Sequence, residues 1–132
     1  MSAPSDADYE RLLGFRTELR RFVLWSETAA RDAGLTPALH QLLLAVRGQQ
    51  AAGDATVGSV AEALLVRHHT AVELAQRAEE RGLIVRAKHD DDHRRVHLTL
   101  TELGAARLDE LSREHLERIG PLAQRLGVLS AV

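Results

Sequence analysis

After Gly82 the spacing of apolar residues changes from a helical repeat to strict alternation, and after Leu100 it changes back. Val85 and Ala87 alternate with Arg86 and Lys88. On the return, Val96, Leu98 and Leu100 alternate with Arg95, His97 and Thr99. The stretch His89-Asp90-Asp91-Asp92-His93-Arg94 lies between them. Two period-2 runs around a polar tip predict a single β-hairpin. Everything else in the chain has to be helix or loop.

The helical segments carry their own start and stop signals. From Asp8 to about Ala33, apolar residues recur at helical spacing (Leu12, Phe15, Leu19, Phe22, Val23, Ala30), and Gly34 stands where a helix-ending glycine belongs. Thr36-Pro37 opens a second helix, with Leu39, Leu42, Leu43 and Val46 as its inner stripe and Gly48 near its end. Gln49–Asp54 reads as a loop. Thr56 then caps a short helix from Val57 to Leu64, and a brief break leads to another from His68 to Arg81. In that last helix Ala71, Val72, Leu74, Ala75 and Ala78 face inward, while Arg67, His69, Thr70, Glu73 and Arg77 face outward. After the hairpin, Thr101 caps a helix carrying Leu103, Leu108, Leu111, Leu116 and Ile119. Gly120-Pro121 is expected to break it, leaving Leu122, Leu126 and Leu129 as an apolar tail.

Composition narrows the class. The 132 residues are one domain's worth of chain, and with aromatics at 3% the core must be built from Leu, Val and Ala, which disfavours a β-sandwich. Cysteine is absent, which excludes disulfides, thiolate metal sites and thiol-oxidation switches. The residues from Met1 to Asp8 hold no basic region followed by an apolar one, and no apolar run approaches membrane-spanning length. A cytoplasmic protein without membrane contact is expected. The formal net charge of −2 argues against a polyanionic partner. Charge is segregated, however: Arg67 to Arg95 holds seven Arg/Lys, six Asp/Glu and four His, with the acids grouped at Glu79–Glu80 and Asp90–Asp92.

Two short helices followed at once by a basic hairpin form the order of a winged helix-turn-helix. The expected fold class is mainly α with a small antiparallel β-hairpin. A helix of this kind fits the major groove of duplex DNA, and its N-terminal half reaches base edges. A hairpin beside it can deliver an arginine to the narrow minor groove. The candidate DNA-binding residues are Arg67, His68, His69, Thr70, Glu73, Arg77, Asp92, Arg94 and Arg95. Among them Arg77 suits a phosphate, and Glu73 is placed to fix Arg77 by an i,i+4 pair.

These residues resemble the MarR family of regulators. The resemblance is carried by Gly34-Leu35-Thr36-Pro37-Ala38, Val60-Ala61-Glu62-Ala63-Leu64 and Arg67-His68-His69-Thr70-Ala71-Val72-Glu73-Leu74. It continues through Arg81-Gly82-Leu83-Ile84 and Asp92-His93-Arg94-Arg95 to Leu98-Thr99-Leu100-Thr101-Glu102-Leu103-Gly104. It implies one domain over residues 1–132, with dimerisation helices at 8–33 and 102–130 and a DNA-binding lobe at 36–100. It also implies a recognition helix starting near His68, and a wing whose Asp-x-Arg is Asp92 and Arg94. Two departures stand out: His93 replaces a common basic residue, and Arg67 replaces the usual Ser or Thr cap.

The functional expectation is a homodimeric repressor binding a palindromic operator in double-stranded DNA, modulated by a small, aromatic, anionic effector. The apolar faces of the two terminal helices exceed what one small wing domain can cover, which also points to a homodimer. Phe22, Trp25 and His40 are candidates to line the effector pocket, against the plainer reading of core or interface residues. An interaction protein that kept the fold but lost DNA affinity is the alternative, favoured by the net charge. No nucleophile–base set, phosphate loop or paired carboxylates suggest an enzyme. No metal and no cofactor is expected: neighbouring His68 and His69 point about 100° apart on a helix. The His89, His93 and His97 set has a metal-like composition, but at a charged hairpin tip it reads as solvated.

Overall fold

The computed structural model describes residues 2–89 and 92–130; Asp90 and Asp91 of the acidic tip lie outside the described residues, as do the side chains of His89, Asp92, His93, Arg94 and Ser130. The elements are α1 (Asp6–Asp32), α2 (Pro37–Gln50), β1 (Ala55–Thr56), α3 (Val57–Leu64), α4 (His68–Glu80), β2 (Ile84–His89), β3 (Asp92–Leu100) and α5 (Glu102–Ser130). All the helices but α4 start where a side-chain acceptor is available for unpaired amides. Thr36 accepts from the Leu39 amide with Pro37 in the first turn, and Thr56 and Ser59 form a reciprocal capping box. Thr101 Oγ1 accepts from the Gly104 amide at 3.0 Å.

The hairpin is part of a three-stranded antiparallel sheet in the order β1-β3-β2, rather than a free pair of strands. β1 sets Ala55 opposite Leu98 and Thr56 opposite His97, inside a stretch that polarity and length made look like the edge of a loop. Two residues are too few to show an alternating period, so only pairing reveals the strand. On β2 the alternation faces the other way from its apolarity: Ile84 is buried, Val85 and Ala87 face solvent, and Arg86 shares the inner face with Ile84. On β3, Leu98 is buried, with Val96 and Leu100 packed against the core.

One apolar cluster joins all of these elements, α1 only at its margin through Ala29: Leu39, Leu42, Leu43 and Val46 of α2 meet Val60, Leu74, Ala75, Ala78, Leu83, Ile84, Leu98, Leu108 and Leu111. Each fully buried leucine contributes roughly 1.5–3 kcal/mol by leaving water. α1 instead packs along α5, where Arg125 Nε donates to Glu18 at 3.0 Å.

The expected break at Gly120-Pro121 does not occur. α5 runs through Pro121 to Ser130, although a proline inside a helix costs about 3 kcal/mol. Leu122, Leu126 and Leu129 continue the half-buried stripe, and Leu129 lies against Gly14 of α1 so closely that a Cβ there would meet it at 2.9 Å. Packing against α1 thus offsets a local penalty that sequence inspection sees alone.

The tightest crossing lies between the start of α5 and the root of the wing. The Thr101 amide donates to Leu83 O at 3.0 Å and its hydroxyl to Gly82 O at 2.6 Å. A Cβ built on Gly104 would lie 2.0 Å from Leu83 O. Gly104→Ala is therefore expected to lower stability by at least about 2 kcal/mol through forced separation of the two backbones. By contrast Gly48→Ala, at a helical position with nothing within 4 Å, should raise it by up to about 1 kcal/mol. Urea midpoints of the two variants, moving in opposite directions, check the assignment.

Candidate nucleic-acid interface and effector cleft

α3 and α4 are joined by a turn in which Leu65 adopts a left-handed backbone (φ 56). The Val66 amide returns to Ala61 O and the Leu65 amide to Glu62 O, closing α3 and turning the chain into α4. Leu65 is 92% exposed, so a conformation costing about 1–2 kcal/mol for an L-residue is held by those two bonds, not by packing.

α4 buries Ala71, Leu74, Ala75 and Ala78 and turns the opposite side outward. Arg67, His68, His69, Glu73 and Arg77 are exposed, and Thr70 is half-buried among them. Val72, expected inward, sits at the margin of the core. Arg67 caps α4 without a side-chain bond, so the first-turn amides of His68 and His69 have no protein acceptor among the described residues. The Glu73–Arg77 pair suggested by spacing does not form, which leaves the Arg77 guanidinium unpaired within the described chain.

β3 lies across a groove from the start of this helix. That groove is lined by Asp54, Thr56, Ser59, Glu62, His68, Val72 and Arg95, so Arg95 and His68 share one surface. Asp92 and Arg94 belong to β3 by backbone, with side chains outside the description. At the other edge of the wing, Glu79 accepts from the Arg86 amide (3.1 Å), Nε (3.1 Å) and Nη2 (2.9 Å). These bonds hold the Glu79 carboxyl below its ordinary range.

The residues suggested for an effector pocket do gather, around a histidine that sequence reading passed over. His115 of α5 contacts the rings of Phe22, Trp25 and His40 at centroid distances of 6.0, 4.7 and 4.9 Å. Its Nδ1 lies 2.7 Å from Leu111 O; a carbonyl only accepts, so Nδ1 carries the proton. Nε2 lies 2.7 Å from the Ser26 hydroxyl oxygen, which ties α5 to α1. His115 was legible in principle: Leu108, Leu111 and His115 follow one another at helical spacing, placing an imidazole on the buried side of α5.

Phe22 and His40 line a cleft of about 390 Å³ between α1 and the first turn of α2, together with Val23, Ser26, Glu27, Pro37, Ala38 and Gln41. Trp25 does not line it. It faces a neighbouring cleft with Ala29, Glu110 and Glu114, and Arg118 Cζ lies 4.3 Å from the centre of its ring. His40 is 3% exposed, and its Nδ1 has no hydrogen-bond partner among the described residues. Two carbonyls at the α1–α2 corner are held by distant arginines: Arg81, just after α4, donates to Gly34 O at 2.6 Å, and Arg107 of α5 donates to Ala33 O at 3.1 Å.

A left-handed turn between two short helices, a second helix with an exposed polar face and a three-stranded wing together define a winged helix-turn-helix protein. The family model described as MarR family matches residues 33–95, the stretch from the α1–α2 corner into β3. Over that stretch the chain is similar to the MarR family of regulators. No curated protein sequence matches it. Among solved structures it is similar to BpsR of Bordetella bronchiseptica, a protein whose DNA binding is regulated by 6-hydroxynicotinic acid. That match has 26% identity over 84% of this chain and 76% of BpsR, with a TM-score of 0.60. AbsC, a MarR family transcriptional regulator from Streptomyces coelicolor, matches at 16% identity over 92% and 82% of the two chains, TM-score 0.77. A mutant S. aureus MepR bound to an oligodeoxyribonucleotide matches at 22% identity over 88% and 82%, TM-score 0.68. No helix among the described residues is long and apolar enough to cross a membrane.

Burial holds the His40 imidazole below its ordinary value of 6.5, and the neighbouring His115 adds to the shift. The folded chain therefore favours neutral His40, and the unfolded chain takes up the proton first as pH falls. Stability contributed by this group is complete above pH 6.5 and declines below it as the folded value is approached. The melting temperature should fall between about pH 7 and 5, and less steeply in His40→Leu. Parallel pH profiles for the two proteins would show that His40 does not supply the slope.

Proposed function

We propose that the protein is a homodimeric regulator that binds a palindromic operator in double-stranded DNA and responds to a small aromatic acid. The observation that carries this reading is the outer face of α4. Arg67, His68, His69, Thr70, Glu73 and Arg77 lie along one exposed side of a helix next to the wing that bears Arg95 and, by backbone position, Asp92 and Arg94. Major-groove contacts fall to the first turns of α4, whose unpaired amides and Thr70 suit phosphate and base edges. Arg77 serves a flanking phosphate. Arg94 serves the minor groove, with Asp92 orienting the basic side chains around it.

Dimerisation is supported by apolar side chains on the terminal helices that the single chain does not cover. Leu12, Leu13 and Leu24 of α1 are 60%, 65% and 67% exposed, and Leu116 and Val128 of α5 are 69% and 74% exposed. Scattered surface leucines are ordinary, but this density on two adjoining helices suits a partner surface. The domain reading follows: residues 8–33 and 102–130 for the dimer, 36–100 for DNA. The effector reading rests on the Phe22/His40 cleft. Its aromatic wall and buried, unpartnered imidazole nitrogen suit a flat acid of the size of a nicotinate, and 6-hydroxynicotinic acid regulates the similar BpsR.

Fluorescence anisotropy with duplex DNA from upstream of the gene, at several salt concentrations, tests the central claim. Arg94→Ala should weaken binding and lower the log–log salt slope by about one unit. An unchanged slope removes Arg94 from the interface. Absence of binding at micromolar protein in low salt would favour the alternative that the net charge of −2 suggests, a fold retained for interaction without DNA.

A further inference from the structure

We propose that the Glu79–Arg86 pair is a latch that fixes the angle between α4 and the wing, so that Glu79 and Arg86 are positioning residues for DNA specificity. The inference rests on the DNA-binding reading above and adds a role for two residues outside the proposed duplex contacts.

The first reason is redundancy. The turn from α4 into β2 is already complete in the backbone. Gly82 has φ +72, its amide returns to Glu79 O at 2.9 Å, and the Leu83 amide returns to Ala78 O at 2.9 Å. Such a turn needs no side chain. Glu79 nevertheless reaches past it to the third residue of β2, taking three bonds from Arg86. A hinge that is closed at its pin gains nothing there from a second fastening. Further out, the fastening restricts swing.

The second reason is the position of Arg86. It occupies the inner face of β2 after buried Ile84, opposite Leu98, which is 1% exposed. An apolar side chain would continue the core at that point. A half-buried ion pair is weak support for stability compared with an apolar substitute. What the pair does supply is direction. A guanidinium gripped through two nitrogens has a fixed orientation, and the third bond, from the Arg86 amide, is made on the outer edge of the edge strand. Strand, side chain and helix end are locked in one geometry.

The third reason is what each side of the latch carries. α4 bears Thr70 and Arg77, and β3, paired to β2 from Val96 to Leu100 and again at Asp92 after a shift in register, bears Arg94 and Arg95. These two sets have to meet neighbouring grooves of one duplex, whose separation the DNA fixes. A wing free to pivot would still find phosphates, because those are everywhere along the duplex, but it would no longer hold its contacts in register with those of α4. The latch therefore acts on discrimination more than on overall attraction.

Arg86→Lys separates this role from a charge effect, since it keeps the cation and removes the fork. The full chain is titrated with a duplex selected from random sequence and with an unrelated duplex, and the ratio of the two Kd values is read. Arg86→Lys should reduce that ratio about tenfold while leaving the salt slope of the unrelated duplex unchanged. Glu79→Ala should reduce the ratio similarly but steepen the slope by about one unit, because Arg86 is released to reach phosphate. The double variant should lose little more than either single one. Ratios within about twofold of the wild type in both single variants, with wild-type circular dichroism, overturn the latch. A wild-type chain that shows no preference between the duplexes overturns the DNA-binding reading itself and the latch with it.

Discussion

The crossing of Gly104 over the Leu83 carbonyl governs how the parts of this protein are disposed. Two backbones meet there at a distance that no side chain on residue 104 would permit. On one side of the crossing lie α4 and the wing; on the other, α5 begins its 29-residue run alongside α1. Thr101 seals the junction from both ends, bonding to Gly82 and Leu83 while capping the helix that follows. The surface proposed to read DNA and the surface proposed to dimerise are thereby joined through a rigid contact rather than a linker.

Charge pairing explains how a chain with a net charge of −2 keeps cations available on one face. On the terminal helices four of the arginines are held by carboxylates: Arg11 by Asp8, Arg21 and Arg125 by Glu18, Arg31 by Glu27. At the end of α4 Arg86 is held by Glu79. Arg67 and Arg77, on the outer face of α4, have no ion-pair partner among the described residues. Net charge sums over all of these and conceals the difference, which is why composition alone pointed away from a polyanionic partner.

Much of the architecture was legible in the order of residues. The change of period at Gly82 and its reversal at Leu100 located the wing, and Thr36-Pro37, Thr56 and Thr101 located three helix starts, because capping and periodicity are short-range effects. Errors arose where a distant neighbour reversed a local preference. Ala55–Thr56 becomes a strand because β3 pairs with it, and Pro121 stays helical because α1 packs against the leucines beyond it. Arg86 reads as a solvent-facing cation until Glu79 is seen to receive it. The candidates Phe22, Trp25 and His40 meet around His115, which comes from α5, a remote part of the chain that local spacing does not connect to them.

The sequence by itself determined the succession of helices, the position of the hairpin, the polar outer face of α4 and the exclusion of cysteine chemistry. Each follows from interactions within a few residues, where spacing along the chain is also spacing in space. Only the tertiary structure decided the third strand, the unbroken last helix, the Gly104 crossing, the Ser26–His115–His40 network and the fastening of the wing to α4. These depend on which residues meet after the chain has folded back on itself, and a glycine, a proline or an arginine shows its role only when its distant neighbour is in place.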